Sequence, residues 1–218
     1  IYVMDHHEMS ETIKADILQA ALPDLAFDGF TDAVIDKAVQ SAAIDPAEAA
    51  LAFPRGGIDL AVYFVRHGVA EMEAKLATLD IESMKIRERI NIAVQTRLKV
   101  DADNKEVARR AFNLLALPGN AKEASACLAH TVDVMWRSTG DKSTDFNFYT
   151  KRATLAAVYS ATRLFWLNDD SDDTKDSWAF LDRRIDNVMQ IEKGKAKFRE
   201  FKEKLGDPLE TLAKFRYR

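Results

Sequence analysis

The 218 residues are 47% hydrophobic and 30% charged with a formal net charge of −4, which supports a folded core and excludes a disordered or collagen-like chain. The single Cys127 leaves no disulfide framework, and in the alanine-rich run AKEASACLAH it reads as a buried, inert thiol in a reducing compartment. No run of about 18 apolar residues suggests a spanning helix, and no secretory leader is expected.

The first nine residues, IYVMDHHEM, read as an unstructured leader, with His6, His7 and Glu8 solvated rather than ligating a metal. Apolar residues then recur at helical spacing over 13–21, followed by the turn Phe27-Asp28-Gly29-Phe30 and a second amphipathic run over 32–43 that starts at Thr31. Asp45-Pro46-Ala47-Glu48 opens a third, short helix: Asp45 as N-cap, Pro46 where a missing N–H costs nothing, and Glu48 in capping-box spacing. Pro54 ends it.

Helix, turn, helix, short helix and a long continuation is the order of a tetracycline-repressor-type DNA-binding head, whose third helix would enter the major groove. Here that helix offers Ala47, Glu48, Ala49, Ala50, Leu51, Ala52 and Phe53, with none of the Arg, Lys, Asn or Gln donors that read bases and phosphates. Over residues 10–53 the cations Lys14 and Lys37 face Glu11, Asp16, Asp24, Asp28, Asp32, Asp36, Asp45 and Glu48, a net of −6. A polyanion repels such a surface. The head is predicted to be a degenerate helix-turn-helix that does not bind DNA.

After Pro54-Arg55-Gly56-Gly57, a long helix is expected over 58–78, another over about 82–99, and a short one over 104–116. Asn120 and Glu123 stand in capping-box spacing before a helix to about Arg137; others follow over 145–167 and 173–193, and a last element begins at Lys195. About ten helices and no alternating strand pattern make the fold class all-α. The expected organisation is a head over 10–57, a helical body over 58–193 and a C-terminal amphipathic helix over 194–218. Ser138-Thr139-Gly140-Asp141-Lys142-Ser143-Thr144 imitates a phosphate loop, but Asp141 separates Gly140 from Lys142 and no strand precedes it, so it reads as a loop before a helix. Asn168-Asp169-Asp170-Ser171-Asp172-Asp173 lacks the central Gly and closing Glu of a calcium loop; its carboxylates suit the positive end of the helix that follows. His67 and His130 stand singly, so neither catalytic nor metal-binding residues are expected.

Two later segments carry a longer pattern. Asp145-Phe146-Asn147-Phe148-Tyr149-Thr150-Lys151-Arg152-Ala153-Thr154-Leu155 with Ala157, Val158, Tyr159 and Thr162, and Trp178-Ala179-Phe180-Leu181-Asp182-Arg183-Arg184-Ile185, resemble the coenzyme-Q biosynthesis accessory family numbered nine of mitochondria and alphaproteobacteria; Phe53-Pro54-Arg55-Gly56-Gly57 with Asp59-Leu60 matches its motif after the head. The resemblance implies a tetracycline-repressor-like homodimer without enzymatic activity or cofactor. It also implies that the chain binds an isoprenoid or quinone lipid and assists a demethoxyubiquinone hydroxylase at a membrane surface. That places it in a bacterial cytoplasm against the inner membrane, or on the matrix side in a mitochondrion.

The residues of the tail point the same way. Phe198, Phe201, Leu205, Leu209, Leu212 and Phe215 form one apolar stripe in a helix, flanked by Lys195, Arg199, Lys202, Lys204, Lys214 and Arg216, although Gly206-Asp207-Pro208 interrupts it. The same stripe could instead dock on the body or on a second copy. From Lys193 onward nine cations oppose four acids, a net of +5 on a body carrying −9. A prenyl channel needs large apolar walls, for which the candidates are Tyr63, Phe64, Phe112, Met135, Trp136, Tyr149, Tyr159 and Phe165. Arg152, Arg183 and Arg184 are expected to brace helices through Asp145 or Asp182, and Trp178, near a helix start, is the candidate contact for the hydroxylase. Two other classes stay open: a repressor-type regulator with a small-molecule pocket, and an enzyme if His67 or His130 pairs with a carboxylate in an apolar cavity.

Overall fold

The computed structural model describes residues 6–140 and 146–205, with side chains over 9–140 and 149–190. Among the described residues there are nine α-helices and no strand: α1 (His6–Asp28), α2 (Asp32–Ser41), α3 (Pro46–Ala52), α4 (Gly57–Ala77), α5 (Ile86–Val100), α6 (Lys105–Leu115), α7 (Ala121–Ser138), α8 (Phe146–Leu167) and α9 (Lys175–Leu205). The all-α expectation holds. The expected tenth helix merges with α9, which runs unbroken past residues 193–195 to Leu205.

The caps of the head form as the sequence predicts. Thr31 Oγ1 accepts from Val34 N at 3.4 Å to start α2, and Asp45 Oδ1 accepts from Ala47 N at 2.7 Å and Glu48 N at 3.4 Å to start α3 behind Pro46. Differences lie at the start. The expected leader is helical from His6, with Lys14 and Glu11 paired at 2.9 Å along the first turns, and α1 continues through Pro23 to Asp28. Leu25 is fully buried, so packing of that last turn outweighs the hydrogen bond Pro23 removes.

The body is built around α4, which packs against α5, α6 and α7 and touches α1 of the head. Its stripe of Leu60, Ala61, Phe64, Val65, Val69, Met72 and Leu76 is buried against Ala93, Val94 and Leu98 of α5, Val107, Ala108 and Ala111 of α6, and Val132 and Met135 of α7 in one core. The expected box at the start of α7 does not form. Asn120 donates its side-chain amide to the Leu114 carbonyl at 2.8 Å, and Glu123 is taken by Arg55 at 2.5 Å, tying α7 to the loop before α4.

The acidic linker before α9 is a structural joint. Asp169, 7% exposed, accepts from Ser171 N at 2.9 Å and from Ser177 N at 2.8 Å and Ser177 Oγ at 2.5 Å, while its carbonyl accepts from Lys105 Nζ at 2.6 Å. Burial alone would raise the Asp169 pKa; the donors of Ser171 and Ser177 outweigh it and hold the carboxyl well below the usual range. A carboxylate depressed in the folded state adds stability that is complete above its unfolded pKa of about 4 and fades as pH falls below it. Asp169→Ala is therefore expected to cost about 2 kcal/mol at neutral pH, with the gap in melting temperature to the parent narrowing below about pH 4. Thermal melts across that range check it, and a gap independent of pH contradicts it.

Candidate functional site

The face of α3 that would meet DNA is bare of donors. Ala47, Glu48, Ala50 and Leu51 are exposed, Leu51 at 83%, while Ala49 and Phe53 turn inward. The two cations of residues 10–53 are both paired, Lys14 with Glu11 at 2.9 Å and Lys37 with Asp24 at 2.7 Å. A surface without donors and with its cations already paired has little to offer phosphates.

Two apolar cavities flank α8 in the body. The first, about 140 Å³, lies between α4, α6, α7 and α8, with Val65, Phe112, Leu115, Cys127, Thr131, Tyr159 and Arg163 among its walls. The second, about 100 Å³, lies between α5, α7, α8 and α9, walled by Ile90, Trp136, Leu155, Val158, Ile185 and Met189. Helix α8 separates them, with Tyr159 facing one and its neighbour Val158 the other. Each has the size of one benzene-like ring. Burial raises the Cys127 thiol pKa, which slows its reaction with alkylating agents without abolishing it.

The residues predicted to line a channel divide three ways. Phe112 and Tyr159 line the first cavity and Trp136 the second. Phe64 is buried beside Phe30, ring centroids 6.3 Å apart, and Tyr63 meets Phe53 edge-on and stacks on His67; both belong to the junction of head and body. Met135 is fully buried in the core, Tyr149 is exposed, and Phe165 stacks on Phe180 of α9 at 4.6 Å. Sequence reasoning missed Ala124, Cys127, Leu128 and Thr131, whose spacing of three and four along α7 is a legible wall.

The remaining candidates have structural duties. His67 Nε2 lies 3.1 Å from Glu71 Oε1, but both are partly exposed beside a water-sized gap of about 40 Å³, and His130 is exposed. Arg152 braces α8 to α7 through Asp133 at 2.8 Å; Asp145 lies outside the described residues. Asp182 accepts from Asn91 at 2.6 Å, and Arg183 and Arg184 lie over the Phe180 ring at 6.0 and 5.0 Å, so neither fills the bracing role expected through Asp182. Trp178 is half-buried, its Nε1 donating to the Asp173 carbonyl at 3.0 Å and its ring under Lys99 Nζ at 5.2 Å, so it links α9 to α5. Of the tail stripe, Phe198, Phe201 and Leu205 fall on the backbone of α9, with their side chains outside the described set; Leu209, Leu212 and Phe215 lie outside the described residues altogether. Residues 141–144 of the apparent phosphate loop are also outside them.

The fold is similar to that of a TetR transcriptional regulator from Nitrosomonas europaea, with a TM-score of 0.66 at 17% identity, over 82% of this chain and 99% of that one. A sequence model of the COQ9 family matches residues 121–192, the segment that forms α7, α8 and the first half of α9. The ubiquinone biosynthesis protein coq9, mitochondrial, of Schizosaccharomyces pombe is 30% identical over 195 residues, covering 87% of this chain and 76% of the relative. The chain belongs to the COQ9 family. Ubiquinone biosynthesis protein COQ9, mitochondrial, of Rattus norvegicus is 37% identical over 194 residues, and the Homo sapiens protein of the same name is 36% identical, each over 86% of this chain. The COQ9-family chain spans about 60% of the length of those two relatives, which are covered at 62% and 61%. No helix among its described residues is long and apolar enough to cross a membrane.

Proposed function

We propose that this COQ9-family chain is a non-enzymatic auxiliary protein of ubiquinone biosynthesis that binds an isoprenoid quinone precursor and presents it to a membrane-associated hydroxylase acting on demethoxyubiquinone. The observation that carries the reading is the pair of apolar cavities on opposite sides of α8, in a chain whose relatives are named ubiquinone biosynthesis proteins. The ring takes the cavity of about 140 Å³ and the prenyl chain leaves by its open side. Ligand sites normally measure about 300 Å³ or more, so loading moves the α8 wall outward.

Presentation requires a surface. The apolar stripe of Phe198, Phe201, Leu205, Leu209, Leu212 and Phe215, with the cations that flank it in the sequence, binds an anionic membrane, on the matrix side of a mitochondrion or the cytoplasmic side of a bacterial inner membrane. Trp178 contributes to the hydroxylase contact from its half-buried position on α9. The protein works as a homodimer, a reading supported by Leu164 of α8, 52% exposed, beside the Phe165–Phe180 stack.

Cys127 reports directly on the first cavity, because it lines that cavity and is the chain's one thiol. Decylubiquinone, whose ring is fully substituted and adds no thiol, is expected to slow alkylation of Cys127 by N-ethylmaleimide severalfold in the native protein. Alkylation at an unchanged rate under saturating decylubiquinone overturns the assignment of the ring to this cavity.

A further inference from the structure

The first cavity has an unsatisfied cation in its wall. Arg163 lines it from α8, with its guanidinium over the Phe112 ring, 5.4 Å from the centroid. Its Nη2 reaches the Ala108 carbonyl only at 3.5 Å, and its Nε is buried without a hydrogen-bond partner. Several other arginines are matched by acids, Arg55 by Asp59 and Glu123, Arg97 by Asp101, Arg109 by Glu106, and Arg152 by Asp133, while Arg89 donates to the Met84, Thr139 and Glu82 carbonyls. Among the described residues Arg163 has no such carboxylate. Of the two acids on the cavity's own helix α7, Glu123 is held by Arg55 at 2.5 Å and Asp133 by Arg152 at 2.8 Å and Arg137 at 3.0 Å.

A buried cationic N–H without an acceptor is unfavourable unless something else supplies the oxygen. The Phe112 ring, 5.4 Å from the guanidinium carbon, offers a cation–π contact but no acceptor for the Nε–H. The cavity has room for one ring and no more. Thr131 does not compete as a donor to the ligand, because its hydroxyl proton is given to the Cys127 carbonyl at 2.7 Å.

We infer that Arg163 forms a head-group subsite: its Nε–H is taken by an oxygen acceptor carried on the ligand's ring, which orients the ring inward and the hydrocarbon outward. This deepens the quinone-precursor reading by assigning specificity to one side chain. It predicts that an oxygenated ring is preferred over a plain hydrocarbon of the same size, and an anionic oxygen over a carbonyl.

The test uses three probes on one scaffold, 4-octylbenzoate, 4-octylacetophenone and octylbenzene, with protection of Cys127 from alkylation as the local readout. The native protein is expected to be protected by the benzoate at about tenfold lower concentration than by octylbenzene, the scale of one hydrogen bond to a charged group, with the ketone between them. Arg163→Met should bring all three together, and Arg163→Gln serves the same purpose should the methionine variant not fold, as judged by its thermal melt. A ketone equal to octylbenzene with the benzoate still favoured keeps the subsite and assigns it to ring acids rather than to quinones. Equal protection by all three in the native protein, or a ranking unchanged in the arginine variant, overturns the inference while leaving hydrocarbon binding in place. Protection by none overturns both it and the cavity assignment.

Discussion

Gly57→Ala is expected to destabilise the fold by about 3 kcal/mol or more, lowering the melting temperature by about 6–12 °C for a chain of this size. The sequence Arg55-Gly56-Gly57 joins head to body in the least space available. A Cβ on Gly57 would sit 1.9 Å from the Phe30 carbonyl oxygen, which is backbone and cannot swing aside, so the first turn of α4 would have to leave the α1–α2 turn. The preceding Gly56 has φ +56° with ψ −127°, a region that side chains avoid, and a Cβ there would meet Asp32 Oδ1 at 2.3 Å. Gly119 is the control. A Cβ at that position meets nothing within 4 Å, so Gly119→Ala is expected to leave the melting temperature unchanged or slightly higher. Equal melting temperatures for the Gly57 and Gly119 variants would contradict the close approach that fixes the head on the body.

The second large effect is electrostatic. Arg97 of α5 is fully buried against α4, with Nη1 2.7 Å from Asp101 Oδ2 and Nη2 3.4 Å from the Val65 carbonyl. Gly68 makes room for it, since a Cβ there would lie 2.9 Å from Nη2. Burial alone would lower the Arg97 pKa; the Asp101 carboxylate outweighs that and holds the guanidinium charged. Asp101→Ala leaves this cation buried with no counter-charge and is expected to cost about 3–5 kcal/mol. Adding Arg97→Met should recover most of the loss, because removing both charges also removes their desolvation cost. Denaturant unfolding of the single and double variants measures the difference. A double variant as unstable as Asp101→Ala alone would show that the loss comes from packing rather than from the stranded charge.

Much of the fold was legible because it is written in short-range chemistry. Thr31, Asp45-Pro46 and Gly56-Gly57 each mark a boundary through their own backbone preferences, and the boundaries fall there. The absence of donors on α3 needs no coordinates to be seen. Errors arose where tertiary partners compete for a side chain. Asn120 and Glu123 have the spacing of a capping box, yet the Leu114 carbonyl and Arg55 claim them. The boundary placed at residues 193–195 rested on charge and composition, neither of which stops a helix.

The candidate site was harder to read for a different reason. A cavity exists where volume is missing, and large aromatic residues fill volume as often as they line a gap. Choosing by residue type found Phe112, Tyr159 and Trp136, but also took in Phe64, Met135 and Tyr149, which lie in the head–body junction, in the core and on the surface. The smaller residues of α7, such as Ala124, Cys127 and Thr131, leave the space. Arg163 gave no signal in the sequence, because an arginine is notable only once its neighbours are known to lack an acid.

The central claim is that the cavities beside α8 hold an isoprenoid ring lipid. Mass spectrometry of lipids extracted from protein purified without harsh detergent measures this directly. The account predicts quinones or prenylated phenols at a substantial fraction of one per chain, reduced in a variant that fills the first cavity, Ala124→Phe. Recovery of only bulk membrane phospholipid, in equal amounts from both proteins, would contradict it.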